Sequence, residues 1–235
     1  LYGLPGGSTQ LMPVAINALN ECIADANAIG LTNYTILEGY RSMDEQQQLF
    51  DKQMESLSSR YSGDALIERT KQYVNYPGTS EYQTGLSFRM RIYKKGDSQV
   101  NDQAFSTSEQ GKWLAENSWR YGIVFRFPLT DYPLPYTADK SYKTGISTQM
   151  NLYRYVGKGN AAVMHTLDLC LEEYVEYLQE HPHIAVFEDG TLKYEIYRQY
   201  VGDADSIELQ LTGKTAGYDS SLDNMGGVIT VFSYY

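Results

Sequence analysis

Between Leu11 and Ile29 the apolar residues Val14, Ile16, Leu19 and Ile23 recur at helical spacing. That period puts them on one stripe, so the segment is predicted to be an amphipathic helix. Pro13 falls in the first turn, where its missing N–H costs nothing, and Gly30 supplies the stop. Tyr34 to Leu37 reads as a short strand. Asp44 to Ser58 is predicted helical, with Leu49, Phe50 and Met54 turned inward. A further helix opens at Ser62-Gly63-Asp64, runs through Tyr73 and is closed by Asn75-Tyr76-Pro77-Gly78. Strand character returns near Gly85 to Tyr93, and Lys94-Lys95-Gly96-Asp97 is a turn.

Ser106 or Thr107 is placed to cap a helix reaching about Tyr121, with Glu109 completing a capping box. Ile123 to Phe127 is strand-like, and the proline-rich stretch Pro128 to Thr144 reads as a loop. Gly159-Asn160 leads into a predicted helix from Ala161 to Gln179. After His183 the periodicity changes to that of strands: Ile184 to Phe187, Thr191 to Tyr200, Ile207 to Leu211 and Val228 to Tyr234. Asp189-Gly190 is a hairpin signal between the first two. The expected fold is α+β: a mixed or antiparallel central sheet with packed helices in residues 1–182, and a β-rich appendage packed on it in 183–235.

At 235 residues, 42% hydrophobic and 20% charged, the chain can build a core and does not have the composition of a disordered protein. A net charge of -10 argues against a nucleic-acid partner, which would call for clustered Lys and Arg, and against adhesion to anionic lipid. The 22 tyrosines suit a core and sheet surface, or a binding surface; the first reading is preferred. No apolar run is long enough to span a bilayer. The chain begins at Leu1 rather than Met, which suggests that an upstream targeting or anchoring segment has been removed. Cys22 and Cys170 both fall in predicted helices; buried free thiols are favoured over a bridge between them.

The chemistry lies in a set of short motifs. Pro77 to Met90 reads PGTSEYQTGLSFRM; Gly39-Tyr40-Arg41-Ser42 is followed by Glu45-Gln46; Trp119 to Pro128 reads WRYGIVFRFP; Tyr153 to Gly157 reads YRYVG; Leu171 to Tyr174 reads LEEY. Taken together, in this order over about residues 35–178, they resemble the VanY-like D-alanyl-D-alanine carboxypeptidases, zinc enzymes of the bacterial cell wall. The family pattern PG-x-SEHQTGLAxD has a His and an Asp as metal ligands; the matching positions here are Tyr82 and Arg89. Laying YRYVG on the family E-x-WHYRYVG motif puts Leu152 at the third ligand position and Gln149 at that of the catalytic Glu.

A catalytic zinc needs three protein ligands and an open position for water, with a carboxylate to move the proton. Leucine has no donor atom, glutamine cannot take up a proton near neutrality, tyrosine ligates only as a phenolate, and arginine repels a dication. No metal and no catalytic residue is therefore expected at these positions. A site built instead from His165, His181 and His183 is not favoured, since His165 is placed on the LEEY helix and the other two at its exit. Ser42, Ser80 and Ser87 have no histidine partner in view, and neither Gly6-Gly7 nor Gly226-Gly227 forms a phosphate loop.

The resemblance assigns substrate binding to Arg41, Gln46 and Ser80. Arg41 suits a peptide carboxylate, or braces its own loop through an acid such as Glu81. Arg89 is read as half of an internal salt bridge, with a ligand carboxylate as the other possibility. These readings converge on a non-catalytic, extracytoplasmic relative of the carboxypeptidases that binds a peptidoglycan stem peptide or an envelope protein. An active D,D-carboxypeptidase with substituted ligands is the alternative.

Overall fold

The computed structural model describes residues 9–202, 206, 208 and 215–234. The chain forms two compact units, one from residues 1–110 with 151–155, the other from 111–150 with 156–235.

The first unit begins with helix α1 (Pro13–Ala28), which has proline in its first turn. Ala15, Ala18, Leu19, Cys22, Ile23 and Ala26 are buried along one stripe. Each fully buried Leu or Ile contributes about 1.5–3 kcal/mol relative to exposure. Gly30 takes a positive φ of 88° as the chain leaves the helix and enters strand β1 (Tyr34–Glu38). Helix α2 (Met43–Leu57) starts with a capping box, Ser42 Oγ accepting from the Glu45 N–H and Glu45 accepting from the Ser42 N–H. Of the three residues expected to face inward, Phe50 is buried, Met54 is partly buried and Leu49 is exposed. Leu49 borders a cavity instead, as described below.

Helix α3 (Gly63–Lys71) is followed by a short 3-10 turn, Glu81–Thr84. Gly85 closes that turn at φ 67°, so strand β2 (Ser87–Ile92) starts later than the sequence suggests. The chain then forms the short helix α4 (Ser98–Asn101), enters the second unit, and comes back through that unit's strand β3 (Ile123–Phe125) to contribute strand β4 (Leu152–Tyr155). Within the first unit β2 pairs antiparallel with β1 on one side and with β4 on the other.

Helix α5 (Glu109–Asn117) crosses from one unit to the next. Neither Ser106 nor Thr107 caps it: both lie in a preceding 3-10 turn, where the Thr107 hydroxyl donates to Ala104 O. A further 3-10 turn, Ser118–Tyr121, replaces the expected last turn of the helix and ends at Gly122, φ 81°. The loop expected over 128–144 holds one short helix, α6 (Ser141–Thr144).

The single helix expected from Ala161 to Gln179 is two, α7 (Lys158–Thr166) and α8 (Leu171–Glu180). Asp168 adopts φ 51° between them, and Glu173 accepts from the Cys170 N–H to start α8 afresh. His165 thus belongs to α7, not to the LEEY helix, and Cys170 precedes α8 instead of lying within a helix.

The tail folds into an antiparallel sheet of β5 (His183–Glu188), β6 (Thr191–Tyr200), β7 (Gly217–Leu222) and β8 (Gly227–Ser233), ordered β5-β6-β8-β7. Asp189 and Gly190, both at positive φ, make the foreseen two-residue hairpin between β5 and β6. The strand expected at Ile207 to Leu211 falls, apart from Glu208, outside the described residues. Strand β7 was not foreseen, because every residue of GYDSSL is exposed and no alternation marks it. Ile196, Ile229 and Val231 of the sheet share a core with Val163, Met164, Tyr174 and Leu178 of α7 and α8. Strands β5, β6 and β8 therefore contribute to the second unit's hydrophobic core.

Candidate functional site

Three residues form a row across adjacent strands of the first unit. Glu38 on β1 is registered with Arg89 on β2, and Arg89 is registered with Leu152 on β4. The pairing slips between Ile36 and Glu38, which brings Glu38 opposite Arg89. Tyr82, on the 3-10 turn before β2, joins the group through Arg41, whose guanidinium lies 4.2 Å from the centre of the tyrosine ring. Three positions singled out from the motifs, Tyr82, Arg89 and Leu152, are thus in one unit; the fourth, Gln149, is an exposed loop residue of the other.

The electrostatic centre of the group is Glu38, which sequence reasoning missed. Its Oε2 accepts from Arg41 Nη2 at 3.2 Å and from Arg89 Nη1 at 3.3 Å. Arg89 is therefore half of an internal salt bridge, as preferred from the sequence. Arg41 braces its loop too, but through Glu38 and not through Glu81. Glu81 is committed elsewhere, to Arg154 Nη1 and to the Ser87 hydroxyl at 2.9 Å. The strand register decides this: Ser87 faces Arg154, one pair beyond Phe88–Tyr153 and two beyond Arg89–Leu152. The local sequence EGYR contained a hint, since Glu38 precedes Arg41 by three residues, but the Arg89 contact depends on strand pairing.

The Gln46 side chain is turned into the unit's interior. It is buried; its Oε1 accepts from Arg41 Nη1 at 3.3 Å and its Nε2 donates to Asn75 O at 2.8 Å. Both ends of the amide are used, so Gln46 positions Arg41. Ser80 is also buried, at the start of the 3-10 turn, where Gln83 Oε1 accepts from the Ser80 N–H at 3.3 Å and from the Gly78 N–H at 2.8 Å. The Arg41 backbone N–H donates to Tyr82 O at 3.3 Å, which ties the GYRS loop to this turn.

Tyr82 is 6% exposed, its buried hydroxyl set beside the Glu38 carboxylate, and the buried Arg89 Nε has no hydrogen-bond partner. Burial and the neighbouring Glu38 carboxylate push the Tyr82 phenol well above its ordinary value, overcoming Arg89 and Arg41. It is neutral at physiological pH. Leu152 is 1% exposed. Beside Arg41 lies an open cavity of about 380 Å³, lined by Arg41, Glu45, Gln48, Leu49 and Lys52. This is where the exposed Leu49 is found.

Tested as a zinc site, the group does not fit. It offers a protonated phenol, a guanidinium, an aliphatic side chain and one carboxylate already held between two cations, in place of three donors around an open position. Among the described residues no group of three or more His, Cys, Asp and Glu is placed to hold a metal ion. The histidines are engaged separately: His165 stacks on Trp119 at 4.2 Å, the His181 ring lies 4.3 Å from that of Tyr177, and His183 meets Glu195 at 3.0 Å. Cys22 and Cys170 are buried free thiols, and burial pushes them up to about 12 and about 11 respectively. No helix among the described residues is long and apolar enough to cross a membrane.

Residues 8–158 match the family model described as VanY: D-alanyl-D-alanine carboxypeptidase. A D-alanyl-D-alanine carboxypeptidase of Enterococcus faecium is 31% identical over 232 residues, covering 98% of this chain and 64% of its own length. A bifunctional D-Ala-D-Ala dipeptidase and carboxypeptidase of Enterococcus gallinarum, VanXYC, is 30% identical over 62% of this chain and 67% of its own length. The chain spans between about half and two thirds of the length of the curated relatives it matches. Among solved structures, the vancomycin-resistance D,D-dipeptidase VanXYg with a D-Ala-D-Ala phosphinate analogue matches at TM-score 0.74 and 24% identity, over 96% of this chain and 82% of that one. VanYB in complex with D-Ala-D-Ala matches at TM-score 0.56 and 28% identity, over 74% of this chain and 86% of that one. The antiparallel sheets and packed helices accord with this fold.

Proposed function

We propose, from the premise that the chain belongs to the VanY family of D-alanyl-D-alanine carboxypeptidases, that it binds a peptidoglycan stem peptide outside the cytoplasmic membrane without hydrolysing it. The observation that carries this reading is the row Glu38–Arg89–Leu152. On the aligned scaffold, two metal positions adjoin across β2 and β4, and they hold a guanidinium and an isobutyl group. Water is not activated by such a pair, and Gln149 provides no base. Binding needs less. Arg41 is held by Glu38, Gln46 and the Tyr82 ring at the edge of the 380 Å³ cavity, ready to meet a carboxylate or peptide oxygen.

The second reading is an active D,D-carboxypeptidase acting on peptidoglycan. The relatives favour it: the curated enterococcal proteins are named as D-Ala-D-Ala carboxypeptidases, and one covers nearly the whole chain. The donor chemistry of Tyr82, Arg89 and Leu152 favours the first reading.

One experiment separates them. The purified chain is incubated with zinc, dialysed, assayed for bound metal, and then given N-acetyl-L-Lys-D-Ala-D-Ala. Peptide binding by calorimetry, with sub-stoichiometric zinc and no D-alanine release above the protein-free control, is the expected result. Stoichiometric zinc together with D-alanine release establishes the second reading in its place.

A further inference from the structure

Among the described residues β7 has a hydrogen-bonded neighbour on one side only, β8, and all six of its residues are exposed. Its pairing with β8 runs without a slip from Gly217–Ser233 to Leu222–Val228. Just beyond, the Asp223 N–H donates to Gly227 O at 3.0 Å. Bonded and non-bonded pairs alternate along an antiparallel ladder, so Gly217, Asp219 and Ser221 spend their N–H and C=O groups on β8. The same groups of Tyr218, Ser220 and Leu222 point to the open side. Tyr218 and Leu222 are themselves 59% and 71% exposed. The sheet's other edge, β5, is blunted by a register slip between Val186 and Phe187. An open row of backbone donors and acceptors is a template for another strand.

We infer that β7 pairs with β7 of a second copy of this chain, antiparallel about a twofold axis at Ser220, joining two four-stranded sheets into one of eight strands. Only residues whose backbones point outward form bonded pairs across the new edge, so the available registers differ by two residues. With Ser220 opposite its own copy, Tyr218 faces the partner's Leu222 and Asp219 faces the partner's Ser221. The first is an aromatic–aliphatic pair, and in the second a hydroxyl donates to a carboxylate. A shift of two residues one way sets Asp219 against its own copy, and the other way against the partner's Asp223. Like charges directly opposite are destabilising, so charge selects the twofold register. The twofold makes each contact twice and closes the assembly at two chains. Six residues a side make a small interface, so the dimer is expected to form in the micromolar range. This inference stands apart from the peptide-binding reading above.

The test is sedimentation velocity of the purified chain from about 1 to 300 µM, beside Ser220→Pro, Ser221→Lys and Ser221→Asp, each checked for folding by circular dichroism. A reversible monomer–dimer equilibrium with a Kd of about 10–100 µM is expected. Ser220→Pro removes an outward N–H while leaving the β7–β8 bonds in place, and abolishes the dimer. Ser221→Lys gains two exposed ion pairs with Asp219 and lowers the Kd by about threefold or more; Ser221→Asp raises it by a similar factor. A chain that stays monomeric throughout overturns the inference, as does a dimer that persists in a folded Ser220→Pro. So do Ser221→Lys and Ser221→Asp shifting the Kd in the same direction, and assemblies that grow beyond two chains.

Discussion

Arg89 on β2 stands directly opposite Leu152 on β4. Side chains so paired on one face of an antiparallel sheet have Cβ atoms about 4.5–5.5 Å apart. An Asp and a His at these positions would be close enough to share an ion. The fourfold variant Tyr82→His, Arg89→Asp, Gln149→Glu, Leu152→His is expected to bind zinc at near one equivalent after dialysis, against a small fraction for the wild type, as read by atomic emission. A folded variant that takes up no zinc would show that the aligned positions do not converge.

Glu38 is the counter-charge for two guanidiniums, and its removal leaves them facing each other. Glu38→Gln is expected to lower unfolding free energy by about 1–2 kcal/mol, a value kept small because these side chains are around one-third exposed or less. Urea denaturation of Glu38→Gln, Arg89→Leu and the double variant measures it. If the pair acts as described, the double variant loses less than the sum of the single ones; strict additivity would argue against the contact.

Gly122 has φ 81°, and a Cβ there would meet Gly157 C and Lys158 N at 2.8 Å. Its N–H and C=O are both used, the carbonyl accepting from Val156 N–H at 2.8 Å. Gly122→Ala combines a left-handed backbone with a clash against backbone that cannot rotate away. A loss of about 2–4 kcal/mol is expected in thermal or urea unfolding. An alanine variant within 0.5 kcal/mol of wild type, roughly the scatter of neutral surface changes, would contradict this geometry.

Glu173 links the start of α8 to the 140–142 segment. Burial alone would raise its carboxyl, but the Tyr142 hydroxyl, the Cys170 N–H and Lys140 more than offset this and hold it down at about 2, from an ordinary 4.5. A depressed carboxylate contributes stability that is fully present above about pH 4.5 and is lost as pH falls towards 2. Denaturant midpoints between pH 6 and 2.5 are expected to fall more steeply for the wild type than for Glu173→Gln. The difference is about 1–2 kcal/mol after solvent screening. Parallel pH profiles would dissociate Glu173 from the acid sensitivity.

Much of this protein could be read along the chain. The stripe Ala15–Leu19–Cys22–Ile23–Ala26 and the proline at its start specify α1, because both are matters of local spacing. The same holds for the Ser42–Glu45 cap and the Asp189-Gly190 hairpin. The motifs marked out Tyr82, Arg89 and Leu152 and the chemical poverty of that set as metal donors. Where local signals were weak or competing, the reading went astray. The 161–179 helix is broken by a left-handed Asp168 and a fresh cap at Cys170, and β7 has no hydrophobic alternation to betray it.

The sequence by itself determined the helical stripes, the caps and turns, and which side chains occupy the motif positions. Those are set by neighbours within a few residues and by side-chain chemistry. Only the tertiary structure decided which acid each arginine meets. Glu38 takes Arg41 and Arg89 while Glu81 takes Arg154, because a slip in the β1–β2 ladder and the β2–β4 register bring together residues up to 73 positions apart. It also decided that Gln46 spends its amide on Arg41 and Asn75, since hydrogen bonds at a buried position go to whatever the fold brings within reach.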